Sequence, residues 1–251
     1  MRRLLIAILM LAFAGAVPAR AETFRFTAAA RCPHACPDLP GQGAMVQALR
    51  DAFAAAGTDI DIEFLPWQRA VATARHDPAF AGYLVDDGSV EAGFTLSPPL
   101  MSGTLGLAVR RGSEQGDVST AGLRGLSLLV LAGHAITPAI DGAIVGRRLS
   151  AYAVDDDRTM LRMLAAGRLD AAVIDADVFA WLQYHAPDLA PVRDTITFNH
   201  VVLGRKTRHV AFAGTELGRR AAMAFADGNA MQDGLAPVRI SGVLGAAHTS
   251  Q

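Results

Sequence analysis

Residues Asp156–Asp177 read DDRTMLRMLAAGRLDAAVIDAD, and this stretch decides the fold class. Its first part predicts a short amphipathic helix that ends at Gly167 in a left-handed C-cap. Ala171–Ile174 is a short apolar run of the kind that parallel sheets bury on both faces. Asp175 then stands at the carboxyl end of the predicted strand, where open α/β sheets place their ligand crevice. The stretch therefore predicts an α/β protein with a site beside Asp175.

The residues before this stretch repeat the same alternation of strand and helix patterns. The predicted elements are a strand at Thr23–Thr27, a helix at Ala44–Ala56, a strand at Asp59–Phe64, a helix that opens at Pro66, and a strand at Ala79–Val85. The strands show period-two alternation or short apolar runs, and the first helix has an apolar stripe. This order predicts a parallel α/β layer with helices on both faces.

A second α/β unit follows. It is predicted to start with a strand at Leu126–Leu131 and to continue with a helix near Pro138–Leu149 and a strand at Tyr152–Val154. A strand at Leu105–Val109 is predicted to lead out of the first unit, and a return strand at His200–Gly204 and a terminal helix at Thr215–Asp227 are predicted to follow the second. We expect the chain to cross between two lobes twice. Lobe 1 is predicted to hold 22–109 and 207–251, and lobe 2 to hold 110–206, with hinge segments at Val109–Gly112 and His200–Lys206.

The N-terminus predicts export. Arg2 and Arg3 precede an apolar run, Leu4–Val17, that is short for a bilayer span. Ala19–Ala21 supplies a small-x-small cleavage site, so 1–21 is predicted to be a signal peptide; an uncleaved anchor is the alternative. The residue directly after the cleavage point is Glu22 rather than a cysteine, which argues against a lipid anchor. We therefore expect a periplasmic protein.

The net charge and the length of the chain limit the classes of protein to which it can belong. Without the three arginines of the signal peptide, the chain has 20 basic and 24 acidic residues, about −4 with histidines neutral. This balance argues against nucleic-acid binding through a basic surface. Some 230 mature residues suit two lobes of ordinary domain size. We expect a monomer that needs no cofactor.

Four segments carry a resemblance to a known family. They are Leu164–Asp175 (LAAGRLDAAVID), Phe94–Leu100 (FTLSPPL), Leu123–Gly133 (LRGLSLLVLAG) and Pro66–Ala70 (PWQRA). In this order they resemble family 3 of the bacterial periplasmic solute-binding proteins, which feed ABC importers of polar amino acids. The resemblance implies a two-lobe type II fold with two crossovers, and capture of a small polar solute for an inner-membrane ABC permease.

Departures from the family pattern leave the solute open. Amino-acid-binding members carry an arginine about seven residues before the serine that Ser97 matches, and it clamps the ligand carboxylate. Val90 stands there in this chain. His134 replaces the threonine expected after Gly133. Asp175 matches the acid that receives a ligand ammonium group, so an amino-acid-like or amine-bearing solute, or another polar solute, is expected.

Four residues are the predicted ligand contacts, and three of them have a structural alternative. Asp175 either anchors the ligand or caps the following helix. Trp67 either stacks on the ligand or belongs to the core. Ser97 could donate its hydroxyl, as the family resemblance implies. His134 either donates a hydrogen bond to the ligand or lies in a surface loop.

The segment Cys32–Cys36 (CPHAC) has three interpretations. An exported protein with an even cysteine count favours a disulfide. A soft-metal site that combines Cys32 and Cys36 with His34 is the second, although the spacing matches no tetrahedral zinc motif. A redox-active pair is the third.

Two other classes of function remain beside solute binding. No nucleophile, phosphate-loop or dinucleotide motif occurs, but a dehydratase-like enzyme on the same two-lobe scaffold is an alternative. The other is an accessory or sensory periplasmic protein, which predicts a cleft filled by the protein's own side chains.

Overall fold

A computed structural model describes residues 21–86 and 88–232. The strands are β1 Thr23–Ala28, β2 Asp59–Phe64, β3 Gly82–Val85, β4 Phe94–Leu96, β5 Met101–Arg110, β6 Ser127–Leu131, β7 Ser150–Val154, β8 Ala171–Asp175, β9 Ile196–Phe198 and β10 Gly204–Ala213. The helices are α1 Ala44–Ala55, α2 Trp67–His76, α3 Pro138–Val145, α4 Asp157–Ala165, α5 Ala176–His185 and α6 Glu216–Gln232. Two 3-10 segments, Pro40–Gln42 and Pro187–Thr195, complete the description.

All ten strands belong to one mixed sheet, in the order β2-β1-β3-β10-β5-β8-β6-β7. β4 pairs with β10 and β9 pairs with β5 beside this path. β1 is parallel to β2 and β3, and β6 is parallel to β7 and β8. The parallel strand layers that the sequence predicts for the first and the second α/β unit are therefore confirmed.

β5 and β10 connect the two parallel layers. Met101–Leu105 of β5 pairs with Gly204–Arg208 of β10, and Leu105–Val109 pairs with β8. His209–Phe212 of β10 pairs with β3. The chain thus crosses twice between lobe 1 (β1–β4, α1, α2, α6) and lobe 2 (β6–β9, α3–α5). The exact boundaries at 109/110 and 206/207, and the hinge segments, stay predictions.

Each lobe has its own hydrophobic core. In lobe 1, α1 and α6 cover the sheet around a cluster of phenylalanines, Phe24, Phe26, Phe53, Phe212 and Phe225. In lobe 2, α4 and α5 cover one face of the sheet and α3 the other. Because β8 is buried along its whole length, its carboxyl end is fixed in position.

The deciding stretch folds as predicted. Asp156 caps α4 by accepting a hydrogen bond from the Thr159 amide at 2.7 Å, and Gly167 adopts φ 71° after the helix.

The predicted return strand His200–Gly204 is wrong, because the return strand begins at Gly204 and runs to Ala213. Charged residues within β10 obscured its alternation.

The predicted signal peptide lies outside the described residues, apart from Ala21. Within 21–86 and 88–232, no helix is both long enough and apolar enough to cross a membrane.

Candidate functional site

A cluster of charged side chains lies where the strands of both lobes end. Asp86 directly follows β3, Asp175 is the last residue of β8, and Asp157 is the first residue of α4. Arg31 lies in the loop after β1, and the crossing strand β10 contributes Lys206 and Arg208. All six belong to one connected network of ion pairs.

Asp86 is the centre of this network. Its carboxylate accepts hydrogen bonds from Arg31 Nη1 at 2.5 Å, Lys206 Nζ at 2.9 Å and Arg208 Nε at 2.6 Å. Burial alone would raise the pKa of Asp86, but the charges of Arg31, Lys206 and Arg208 outweigh it and hold that pKa far below its usual range. The Asp86 carboxylate is therefore ionised at any physiological pH.

Arg208 joins Asp86 to lobe 2. Its Nη2 donates to Asp175 Oδ2 at 2.7 Å, and both side chains have no solvent exposure. A Cβ atom at Gly103 of β5 would lie 2.7 Å from Asp175 Oδ2 and 2.8 Å from Arg208 Nη1. The pair can be buried here because the neighbouring strand has a glycine at this position.

Asp175 also caps α5. Its Oδ1 accepts hydrogen bonds from the amides of Asp177 at 2.9 Å and Val178 at 3.3 Å. Burial would raise the pKa of Asp175, but the His34 and Arg208 side chains together hold it below its usual value. Both oxygens of Asp175 are thus committed to partners within the protein.

Two side chains of lobe 1, Arg31 and His34, contact carboxylates of lobe 2. Arg31 Nη2 donates to Asp157 Oδ1 at 3.3 Å. His34 Nε2 lies 3.5 Å from Asp175 Oδ1 and 3.9 Å from Asp177 Oδ2. These contacts hold the two lobes together directly at the cleft.

Burial opposes the charged form of other groups in the cluster. It raises the pKa of Asp157, which the Arg31 charge offsets only in part. It also lowers the pKa values of Lys206 and His134. Asp157 and Asp86 share Arg31, but only Asp86 has enough cations to compensate for its burial.

Trp67 and His134 form an aromatic contact between the lobes beside this cluster. Their ring centroids are 5.3 Å apart, and Trp67 also meets Tyr83 edge to face at 5.8 Å. Both rings line a cavity of about 20 Å³ together with Arg31, His34 and Asp86. A cavity of this size can hold about one water molecule.

The structure brings three of the four predicted ligand contacts to the cleft. Trp67 and His134 line the same cavity. Asp175 lies beside that cavity and contacts His34, which also lines it. Ser97 has a different role: its Oγ donates to Pro98 O at 2.6 Å and accepts from the Val210 amide at 3.0 Å. That hydroxyl is committed to the backbone, and the ligand-binding roles of all four stay predictions.

Cys32 and Cys36 form a disulfide, as the favoured interpretation predicted. The disulfide removes both thiolates, so a metal site or a reduced redox pair built on them is wrong for this form of the protein.

His34, Asp175 and Asp177 have potential ligand atoms within 4.8 Å of one another. Since Asp175 already accepts hydrogen bonds from two amides and Arg208, this group is poorly suited to a cation.

Sequence reasoning missed most of the ion-pair network. Asp86 could have been found, because it is an acid at the carboxyl end of a predicted parallel strand, the same signal that selected Asp175. Lys206 is the only lysine of the chain, which is a compositional signal that singles it out. Arg31 and Arg208 had no local signal, since their partners come from distant parts of the chain.

No protein-family model matches the chain, and no curated protein matches it in sequence. Solved structures do match its fold. A histidine kinase sensor domain with similarity to periplasmic binding proteins is 15% identical and superposes with a TM-score of 0.68 over 86% of this chain and 92% of that one. The glutamate complex of the GluR0 ligand-binding core from Nostoc punctiforme is 17% identical, with a TM-score of 0.61 over 84% and 94%.

The arginine-binding protein ArgBP from T. maritima, in a P235GK mutant, is 13% identical with a TM-score of 0.63 over 84% of this chain and 90% of that one. These likenesses show the fold: a two-lobe α/β structure of the periplasmic-binding-protein type, as the four segments predicted. The three structures named here are a ligand-binding core, a sensor domain and ArgBP.

Proposed function

We propose that this chain is a periplasmic solute-binding protein whose lobes close over a small polar solute that carries a positive charge, either amine-bearing or amino-acid-like. The observation that supports this proposal is the set of lobe 2 carboxylates that faces lobe 1. Asp157 meets Arg31 at 3.3 Å, and Asp175 and Asp177 lie 3.5 and 3.9 Å from His34. A solute cation fits the position beside Asp157 that the Arg31 guanidinium occupies.

Asp157 is the carboxylate best placed to exchange its partner. Its burial is not fully compensated, and Arg31 keeps Asp86 as a second partner when it leaves Asp157. A bound ammonium or guanidinium group would therefore replace Arg31 at Asp157 without leaving Arg31 unpaired. Trp67 adds an aromatic face on which a cation is stabilised.

Transport to the cell interior is the second part of the proposal. It rests on the family resemblance, which implies an inner-membrane ABC permease, and on the predicted signal peptide, which implies the periplasm. The matched structures include one bound to glutamate and others from an arginine-binding protein. They support a charged, amino-acid-sized solute for the cleft.

A thermal-shift and calorimetric screen of the chain from Glu22 tests the proposal. The panel contains amines, basic and neutral amino acids, carboxylates and sugars. A solute at about 100 times its dissociation constant adds about 2.7 kcal/mol to the free energy of unfolding, which raises the Tm by several degrees for a chain of this size. We expect the shifts to come from cationic and zwitterionic solutes.

The variant Asp157→Asn makes the test specific. It keeps an oxygen that Arg31 can reach but removes the negative charge, so we expect affinity for a cationic solute to fall at least tenfold, or about 1.4 kcal/mol. Asp155→Asn is the matched control, because Asp155 is exposed two residues away. Equal affinity in Asp157→Asn, or binding of anions alone, would contradict the proposal.

The accessory or sensory function is the second candidate, and the filled cleft favours it. The lobes meet through Arg31–Asp157, His34–Asp175 and Trp67–His134, and the cavity that Trp67 and His134 line measures about 20 Å³. If the screen finds no solute, and small-angle scattering shows the closed shape in plain buffer, this second function replaces the first. An open shape that closes on adding a solute supports the first.

A further inference from the structure

The two edges of the sheet differ in a way that points to an interaction surface. β7 is the last strand on the lobe 2 side, and Ser150, Ala151, Tyr152 and Ala153 are all exposed. Four consecutive exposed residues in one strand mean that neither of its faces is covered along most of its length. β7 therefore has a free backbone edge, which is a ready site for strand pairing.

The direction of the free backbone groups follows from the pairing with β6. The Ala132 amide donates to Val154 O at 2.8 Å, so Val154 directs its backbone groups toward β6. Backbone groups alternate sides along a strand, and those of Ala151 and Ala153 therefore point outward. Neither residue has an outward hydrogen-bond partner among 21–86 and 88–232.

The opposite edge is protected against pairing. β2 carries Asp59, Asp61 and Glu63, and a second copy of the same strand would bring like charges together. β7 has no charged residue between Ser150 and Val154. Its charges lie at its two ends and are of opposite sign: exposed Arg147 and Arg148 precede it, and exposed Asp155 and Asp156 follow it.

We propose that β7 pairs antiparallel with β7 of a second copy of this chain, around a two-fold axis at Tyr152. In this register Ala151 of each copy lies opposite Ala153 of the other, so their outward amides and carbonyls form reciprocal hydrogen bonds. The same register brings Arg148 of each copy level with Asp156 of the other. Strand pairing and charge complementarity therefore select the same partner.

The interface is small, so the association is weak and depends on concentration. It also changes one expectation, since the sequence alone led us to expect a monomer.

Sedimentation velocity from micromolar to near-millimolar concentration tests the proposal, together with hydrogen exchange. We expect a monomer–dimer equilibrium, with the Ala151 and Ala153 amides better protected as concentration rises. Ala153→Pro removes an outward donor and leaves the β6 ladder intact, so it should weaken association at least tenfold. Tyr152→Lys should do the same by placing like charges at the two-fold axis.

Tyr184→Lys is the matched control. Tyr184 is also an exposed tyrosine, at 71%, but it lies on α5, and the dimer should persist in this variant. A monomer at every concentration overturns the proposal. So does a dimer that survives both Ala153→Pro and Tyr152→Lys, because it would use another surface. Circular dichroism of each variant separates lost association from lost folding.

Discussion

Asp175 and Asp157 both lie at the lobe 2 side of the cleft, and the protein treats them in opposite ways. Asp175 receives two amide hydrogen bonds and the Arg208 guanidinium, and its pKa is lowered. Asp157 receives the Arg31 guanidinium from the opposite lobe, and burial raises its pKa. Two buried carboxylates near one cleft thus differ in how fully their charge is compensated.

The difference separates a structural acid from an exchangeable one. Asp175 cannot give up its partners without leaving Arg208 and the first turn of α5 unsatisfied. Asp157 depends on a single cation that has a second carboxylate available in Asp86. We therefore expect Asp175 to determine folding and Asp157 to determine binding, although the sequence pointed to Asp175 for both.

Asp175→Asn should have the largest effect on stability. It removes the charge that compensates the fully buried Arg208, and breaking a buried ion pair in this way costs about 3–5 kcal/mol. Urea unfolding followed by circular dichroism measures the loss. Asp177→Asn is the control, because Asp177 is 59% exposed and contributes at most about 1 kcal/mol through the helix dipole. Similar losses of unfolding free energy in Asp175→Asn and Asp177→Asn would contradict the structural role that we assign to Asp175.

Reduction of the disulfide should have an intermediate effect. Cys32 and Cys36 close the loop that contains His34 and directly follows Arg31, so reduction loosens the lobe 1 groups that face both acids. The chain-entropy model gives about 2 kcal/mol for so short a loop, or about 4–8 °C in Tm. Thermal unfolding with and without reductant measures this shift. The double variant Cys32→Ala, Cys36→Ala should not respond to reductant; a response there would assign the shift to another cause.

Local patterns in the sequence account for most of the fold. Alternation and apolar runs located β1, β2 and β8, and the Gly167 cap located the end of α4. They could not locate β10, because Lys206 and Arg208 interrupt its apolar pattern. The buried charges of these two residues are paired with Asp86, directly after β3, and with Asp175 of β8. The site was predictable only in part for the same reason.

Asp175 and Asp86 each follow a strand, which is a local signal. The pairing of Arg31 with Asp157, in contrast, joins residues 126 positions apart. Such a contact depends on how the two lobes meet, and no local pattern in either segment contains that information.

Asp157→Asn should have the smallest effect on stability at neutral pH. The sign of its change in the free energy of unfolding, which is opposite to that of Asp175→Asn, distinguishes Asp157 from Asp175 most clearly. Because the folded-state pKa of Asp157 is raised above 3.8, the folded protein takes up this proton at higher pH than the unfolded chain does. The charged carboxylate therefore costs stability at neutral pH, and that cost disappears as pH falls through the folded-state pKa. Asparagine has no such cost, so the variant should match or exceed the parent at pH 7, with a difference of up to about 1.4 kcal/mol for each unit of pKa shift.

The pH dependence of the same variant completes the comparison. As pH falls toward 4, the parent should gain stability relative to Asp157→Asn, and denaturant unfolding at each pH measures that difference. Below about pH 4 both proteins should lose stability together, because Asp86 and Asp175 have lowered pKa values and their contribution is lost as they protonate. A parent that is more stable than Asp157→Asn at pH 7, and loses that advantage on acidification, would show that Asp157 is as structural as Asp175. The cleft would then have no exchangeable carboxylate, and the accessory function would be the better supported of the two candidates.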